Sequence, residues 1–353
     1  MARTVFFARP EIGNVYINGL SNSVLRKLLL LIMKRNYSIC LSNFVLLNMS
    51  LFVLTAAAQG TRDENVAAGI GEVYVLGTSL LEAEGGFTKR FEFPFLRGEN
   101  PLTAGNGVKL ALTAKFSPVS INGLAEAVWT PVAFFQLAAG GRAGSGWYLD
   151  FFGGDNYGLS LNLEDSAGCA EIAKGGLDGA ILKAHGGGAL QFDLSAIIPG
   201  GWNHVVARTY HEFNYKTYTA AKKGEAWYDE NDDGENCNGA NYYGNLLIGY
   251  QMPVFVNTIA LLAEAHRYLY NYDTHGFYRD GWRENDVRWV ISGVTQYTLT
   301  NQLDAALIAQ FRTRKNYTDD NWKELYYRNR NINKSDPQRV EFYRLVAALT
   351  YKL

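Results

Sequence analysis

The chain ends in a segment, FYRLVAALTYKL, that alternates in side-chain character up to its last residue. Every second position is apolar or aromatic: Tyr343, Leu345, Ala347, Leu349, Tyr351 and Leu353. Because successive side chains of a β-strand point to opposite faces, this pattern predicts a strand with one apolar face. A last strand that pairs with the first leaves no free edge, as in a closed barrel. The alternative is an ordinary edge strand of a soluble sheet.

The same alternation with a period of two residues recurs along the chain. It covers residues 108–116, 119–129, 132–141, 204–216, 255–270, 288–299 and 303–314. In a soluble β-sandwich such strands are usually about 5–6 residues long, whereas strands that cross a membrane need about 9–11. The longer length and the aromatic residues near the strand ends favour a single transmembrane antiparallel β-barrel. Residues from about 70 to 353 provide enough chain for roughly 10–14 strands.

The charge and hydropathy of the chain argue against a nucleic-acid-binding protein and against a helical membrane protein. The net charge of −1 provides no basic field for binding nucleic acid. After residue 58 there is no apolar run near the ~20 residues that a membrane-spanning helix needs.

The segment 33–58 has the layout of a cleaved signal peptide. Lys34 and Arg35 precede an apolar stretch, and three alanines at 56–58 resemble a cleavage site. The alternative is a transmembrane anchor. We interpret residues 1–32 as an over-extended N-terminus with Met33 as the true start, and residues 59–353 as the barrel domain.

The polar faces of the predicted strands carry charges of both signs. In a barrel these faces line the lumen, so we expect the following residues to face inward: Lys109, Lys115, Arg208, Glu212, Lys216, Glu264, Asp304, Arg312, Arg314, Arg344 and Lys352. Charges of both signs are typical of a water-filled lumen, or of one that is plugged by side chains paired across it.

A loop at 228–236, YDENDDGEN, offers oxygen ligands at alternate positions. Asp229, Asn231 and Asp233 precede Gly234, and Glu235 adds a further carboxylate. This spacing suits Ca²⁺, which takes about 6–8 oxygen ligands, although the closing Glu of an EF-hand is absent. The sequence therefore predicts a calcium site here, with a solvated acidic loop as the alternative.

Two cysteines follow the signal segment, Cys169 and Cys237, and an exported chain could join them in a disulfide. No catalytic motif accompanies them. The histidines lack metal-ligand spacing, and there is neither a G-x-S-x-G motif nor a P-loop. We therefore expect no enzymatic activity.

Several segments resemble the outer-membrane β-barrel proteins of spirochaetes, the treponemal type. They are FPFLRGENPLTAGNGVKLALTAKFSPVS (93–120), AVWTPVAFFQLAAGGRAGSGW (127–147), NGANYYGNLLIGYQMP (238–253), QFRTRKNYTDDNWKELYYRN (310–329) and EFYRLVAALTYKL (341–353). The likeness covers most of the chain after residue 90. It implies export and an outer-membrane barrel, but it brings no catalytic residues. The final strand also resembles the signal that such barrels present to their insertion machinery, with Leu353 in place of the usual Phe.

Together these features predict an outer-membrane protein that acts as a porin-like conduit for small solutes. Its expected partners are outer-membrane lipid and, during assembly, the insertion machinery. Two alternatives are a structural or adhesive barrel that acts through long loops at 147–202 and 217–245, and a soluble exported β-sandwich that binds a ligand.

Overall fold

A computed structural model describes residues 70–80, 82–151, 154–172, 176–230, 232–269 and 286–353. The predicted over-extended N-terminus and signal peptide lie outside these residues. The described strands are β1 (Ile70–Thr78), β2 (Ala83–Pro94), β3 (Gly107–Ser117), β4 (Ser120–Val132), β5 (Phe135–Gly146), β6 (Leu149–Phe151), β7 (Gly154–Asn156), β8 (Leu159–Glu164), β9 (Ala170–Ile172), β10 (Ile181–Asp193), β11 (His204–Tyr218), β12 (Ala226–Asp229), β13 (Gly239–Gln251), β14 (Val256–Tyr268), β15 (Arg288–Thr298), β16 (Leu303–Lys315) and β17 (Gln338–Lys352). A single 3-10 turn at Leu194–Ala196 follows β10. Within the same ranges, no helix is long and apolar enough to cross a membrane.

Twelve of these strands form one closed antiparallel barrel, in the order β1-β17-β16-β15-β14-β13-β11-β10-β5-β4-β3-β2. The last strand closes the barrel on the first, with Val73 opposite Tyr351 and Val75 opposite Leu349. The prediction of a single antiparallel barrel with roughly 10–14 strands is therefore confirmed. The alternatives of an edge strand and of a soluble sandwich are wrong, because every barrel strand has two hydrogen-bonded neighbours.

The outer face of the barrel is apolar. Large apolar side chains are exposed at alternate positions on the barrel strands, among them Val75, Leu112, Phe116, Ile121, Phe213, Ile248, Leu261, Ile291, Leu307 and Leu345. In water this surface would be unfavourable, whereas in a bilayer it contacts the hydrocarbon. Aromatic residues such as Phe116, Trp289 and Tyr351 lie near strand ends, as expected of side chains at a membrane interface.

One strand boundary differs from the sequence-based expectation. The dipeptide Thr130-Pro131 suggests a turn, but β4 continues through it to Val132 and turns at residues 133–134. The pairing of β4 with β5 shifts in register between Trp129 and Val132. Proline is tolerated at such irregularities, because no ladder hydrogen bond from its nitrogen is needed there.

The connections at the two ends of the barrel differ in length. The strand ends that flank the segments 147–180, 219–238, 269–287 and 316–337 all lie at one end, which we call the long-loop end. The long-loop end also holds the short connections 79–82 and 118–119, whereas no connection at the opposite end is longer than that at 95–106. The opposite end also holds Ile70 of β1 and Lys352 of β17. The range 147–202, for which the sequence allows two strands with a long loop, contains the barrel strand β10, and the predicted loop 217–245 extends into the first half of β13.

The long loops have a structure of their own. Strand β12 pairs with β8, and β8 pairs with β9, in a sheet that is separate from the barrel. Trp227 of β12 is fully buried, in a cluster with Leu159, Ile181 and Tyr218. A second cluster buries Tyr327 against Tyr268, so that the 316–337 loop also packs on a barrel strand. The long-loop end is therefore covered by folded chain.

Candidate functional site

The inner face of the barrel carries ion pairs between neighbouring strands. Lys115 on β3 lies 2.6 Å from Glu84 on β2, and Lys183 on β10 lies 2.7 Å from Glu212 on β11. Glu212 is fully buried. The two members of each pair are displaced along the strands, since Lys115 lies opposite Gly86 and Glu212 lies opposite Gly187. They share a face because residues two or four positions apart along a strand point to the same side. The inner wall is thus a charged surface in which many charges are neutralised locally.

The structure brings most of the predicted lumen residues into such contacts. Seven pair with a residue of a neighbouring wall strand or a wall turn: Lys109 with Glu92, Lys115 with Glu84, Glu212 with Lys183, Asp304 with Lys352, Arg312 with Glu341, and Arg344 with Glu82. Lys216 and Arg314 contact carboxylates of the long loops. Glu264 accepts a hydrogen bond from the Tyr243 hydroxyl at 2.8 Å, and the Arg208 guanidinium lies 5.4 Å from the ring centroid of Tyr210.

Sequence reasoning missed several of the partners. Glu84 and Glu92 lie on β2, in AEGGFTKRFEFP, where the alternating pattern places Arg90 on the same face. That pattern was available in the sequence. Arg142 was harder to find, because it stands in a run of glycine and alanine that carries little periodic signal.

Part of the inner wall is apolar rather than charged. Buried side chains of β1, β11 and β13–β17 form one continuous cluster: Tyr74, Leu76, Val206, Leu247, Ala260, Leu262, Val294, Ala306, Ile308, Val346 and Ala348. Their near-complete burial means that they pack against other protein atoms instead of lining open water. The expected mixed-charge face is therefore interrupted on this side of the barrel.

The acidic segment after β12 reaches the wall at the long-loop end. Arg142 donates from both terminal nitrogens to Asp229, at 3.0 and 2.9 Å, and Arg314 pairs with Asp233. Lys315 lies 3.1 Å from Glu235. We call the described residues 226–230 and 232–236 the acidic hairpin. Between it and the wall there remains a cavity of about 10 Å³, lined in part by Glu235, Arg314 and Lys315. That is about one water molecule's space, so the hairpin fits closely.

The surroundings of these carboxyl groups change their pKa values. Burial by itself raises the pKa of Glu235, but the cations of Lys315 and Arg330 outweigh burial and lower it to about 2. At Asp229 burial also acts to raise the pKa, but the cations of Arg142 and Lys216 outweigh it and bring the pKa well below its usual range. Burial raises the pKa of Asp232 to about 7, with Asp229 contributing in the same direction. Among the charged contacts of the hairpin, those of Asp229 and Glu235 are therefore made by ionised carboxylates.

The predicted calcium ligands do not converge on one point in this arrangement. Asp229, Asp233 and Glu235 each contact a different basic side chain. Asn231 lies outside the described residues. Among the residues that are described, no group of three or more His, Cys, Asp or Glu side chains is arranged to hold a metal ion. Calcium binding stays a prediction, and it would require the ion to replace Arg142 at Asp229 and Arg314 at Asp233.

The two cysteines are not joined in the structure. Cys169 is half-buried and Cys237 is buried, and both are thiols rather than a disulfide. Cys237 packs with Ala226 and the tyrosines at 326 and 327, whereas Cys169 forms an isolated β-bridge with Leu325. The two side chains therefore belong to different contacts, which the chain sequence could not reveal.

The geometry described so far decides the class of protein. A closed barrel with an even number of antiparallel strands, an apolar outer face and a charged inner face is the architecture of bacterial outer-membrane proteins. The chain is an outer-membrane β-barrel. No protein-family model matches it, and no curated protein matches it. The resemblance to treponemal-type proteins stays a prediction.

Comparison with solved structures returns barrels that are remote in sequence. A structure described as "KdgM porin" has a TM-score of 0.32 and 9% identity, covering 81% of this chain and 99% of its own. A structure described as "NanC porin structure in rhombohedral crystal form" has a TM-score of 0.35 and 7% identity, covering 80% and 98%. At these TM-scores the likenesses add no argument to that of the barrel itself.

Proposed function

We propose that the barrel is a porin-like conduit through which small polar solutes cross an outer membrane. The observation that carries this proposal is the charged inner face inside a closed barrel, with pairs such as Lys115–Glu84 and Lys183–Glu212 facing away from lipid. Charged side chains on the inside would be costly unless they contact water or one another. The proposal assigns no catalytic residue.

The test is electrical recording of the refolded protein in planar lipid bilayers. A conduit gives discrete current steps above those of bilayers without protein. A variant that lacks residues 220–236 removes the acidic hairpin from the mouth and is expected to carry a larger current. If neither the complete barrel nor this variant conducts, the conduit proposal fails. Heat-modifiable mobility in gels shows that each sample contains a closed barrel, so that a silent sample is not an unfolded one.

A second candidate function is surface adhesion through the long loops. It is favoured by the separate three-stranded sheet β12-β8-β9, which gives these loops a defined surface instead of a variable one. Binding of the purified barrel to extracellular-matrix proteins tests it. Deletion of 220–236 should abolish such binding if the loops carry it, and unchanged binding would contradict the candidate.

A further inference from the structure

Four basic side chains of the barrel wall gather at the long-loop end. They are Arg142 on β5, Lys216 on β11, and Arg314 and Lys315 on β16, and we call them the mouth cations. All four are largely buried, with side-chain exposures between 10% and 18%. Cations that are removed from water need anionic partners, because the desolvation cost of an unpaired buried charge is several kcal/mol.

In this structure the acidic hairpin supplies an anion to each of the four, and Arg314 has a second partner, Glu341 of β17, at 3.3 Å. Arg142 holds the Asp229 carboxylate with two parallel hydrogen bonds, the geometry with which a guanidinium recognises carboxylate. The Lys216 ammonium lies 3.8 Å from the same carboxylate. Arg314 pairs with Asp233, and Lys315 with Glu235. Each mouth cation is therefore occupied by a carboxylate of a single chain segment.

The hairpin is not a part of the wall that it contacts. It belongs to the sheet β12-β8-β9, which shares no strand with the barrel. Its carboxylates reach across from that sheet, and Glu230 accepts a further hydrogen bond from Ser120 at 2.7 Å. The carboxylates of the hairpin contact the wall through polar interactions, for which another anion can compete with the same chemistry. The hairpin also has an apolar contact with the wall, where Trp227 packs on Ile181 and Tyr218, and displacement must break this contact too.

We propose that the mouth cations are a binding site for a solute with two or three carboxylate groups, and that the acidic hairpin fills this site as an internal counter-ion until the solute displaces it. The proposal rests on the proposed conduit function and adds a solute class and a means of closing the mouth. Three carboxylates on one short segment show that the site accepts several such groups at once. Arginine at two of the four positions favours planar carboxylates over simple halide ions.

The first experiment measures binding of tricarballylate, a tricarboxylate, by calorimetry on the refolded full chain in detergent. The hairpin-neutral variant Asp229→Asn/Asp233→Asn/Glu235→Gln is compared with the unchanged protein. Its matched control is Glu171→Gln/Asp320→Asn/Glu324→Gln, which changes three exposed carboxylates of the same loops and alters the net charge equally. We expect the hairpin-neutral variant to bind at least about tenfold more tightly than the other two, since no internal carboxylate competes. Equal affinities, or no binding by any of the three, would overturn the proposal.

A further pair of substitutions shows where the solute binds. Adding Arg142→Gln and Arg314→Gln to the hairpin-neutral variant should remove the gain in affinity, and retention of the gain would place the solute elsewhere. Conductance separates this proposal from the function on which it rests. If tricarballylate binds with this pattern of affinities but no variant conducts, the binding site is supported and the conduit function is contradicted. If the variants conduct equally and the affinities do not follow the pattern, the conduit function is supported and the binding site is contradicted.

The hairpin-neutral variant leaves buried cations unpaired, which can prevent folding, so a second measurement uses the unchanged protein. Trp227 of the hairpin is fully buried, with the Lys216 ammonium 4.8 Å from its ring centroid. Displacement of the hairpin exposes this ring, so tricarballylate should increase quenching of tryptophan fluorescence by acrylamide. The uncharged triamide should not, and Trp227→Phe should remove the effect. If tricarballylate does not change the quenching, the proposal that the solute displaces the hairpin is overturned.

Discussion

Lys115 and Glu84 form an almost fully buried ion pair on the inner wall, with the Lys115 nitrogen 2.6 Å from a Glu84 oxygen and side-chain exposures of 9% and 1%. Glu84 also accepts a hydrogen bond from the Tyr74 hydroxyl at 2.8 Å. Three barrel strands thus meet at a single carboxylate. We expect this contact to contribute to the stability of the whole barrel, since its partners are buried away from solvent.

Substitution of Glu84 should therefore destabilise the barrel. Glu84→Gln leaves a buried ammonium without its counter-ion, and we expect the free energy of unfolding to fall by about 3–5 kcal/mol. Urea unfolding in detergent, followed by tryptophan fluorescence, measures this. The control is Glu92→Gln, because the pair of Glu92 with Lys109 is partly exposed and is worth at most about 1 kcal/mol. A similar small loss for both variants would contradict the inward burial of Glu84.

A charge placed on the outer face tests the membrane contact. Leu261 lies near the middle of β14 and is 65% exposed, so Leu261→Arg should put a guanidinium into the hydrocarbon. We expect a loss of about 2–4 kcal/mol in the free energy of unfolding measured in lipid bilayers.

Its control is Ile197→Arg. Ile197 is equally exposed but lies in the connection between β10 and β11, outside the barrel strands. This change should cost little, because the new charge meets water. If both substitutions cost the same, the exposed apolar face is not the lipid-facing surface.

The loop at 316–337 should depend on one buried arginine. Arg330 is 2% exposed and donates to Glu235 and to the backbone oxygen of Asp233, both at 3.2 Å. Arg330→Gln leaves Glu235 with one cation fewer, so the loop should open more often. We expect chymotrypsin to cleave within 316–337 at least about ten times faster, as for a loss of about 1.4 kcal/mol or more.

The exposed Arg339 pairs with Glu341 at the edge of the same loop and provides the control for that measurement. Arg339→Gln should leave the cleavage rate unchanged. Heat-modifiable mobility should persist in both variants, because the barrel strands are untouched. Equal cleavage of the two variants would show that Arg330 does not hold the loop.

The two thiols should differ in reactivity. Cys169 is half-buried and Cys237 is buried in an aromatic cluster. In the folded barrel, maleimide should modify Cys169 well before Cys237, and unfolding without a reducing agent should make both reactive. Mass spectrometry counts the labels. Failure to label either residue in the unfolded chain would indicate a disulfide in the isolated protein.

The strand pattern was the part of the fold that could be predicted. Alternation is local, since it depends on only a few consecutive residues, and it placed 204–216, 288–299 and 303–314 close to the observed β11, β15 and β16. It also separated the two faces correctly at positions such as Lys115 and Phe116. The strand number followed from dividing the chain length by the residues that one strand and its connection use.

Local reasoning was less successful where glycine, alanine or loop residues dominate. The inward-facing Arg142 follows Gly140 and Gly141. Because glycine has no side chain, these residues do not indicate which face of the strand is polar. Ala306 and Ile308 are buried inside the barrel, although they stand between polar residues on the inward face of β16. Only the packing of neighbouring strands shows that this side of the interior is closed by apolar contacts.

The sequence by itself determined that the chain forms long alternating strands with an apolar and a charged face, because side-chain direction in a strand is a property of the local backbone. The tertiary structure decided which charges meet. Arg142 and Asp229 are 87 residues apart in the chain, and they form a pair because barrel closure sets the register while the 219–238 loop folds back onto the wall. Such contacts depend on the closed path of the whole chain, so the sequence alone could not show that the carboxylates of Asp229, Asp233 and Glu235 lie beside basic side chains of the wall.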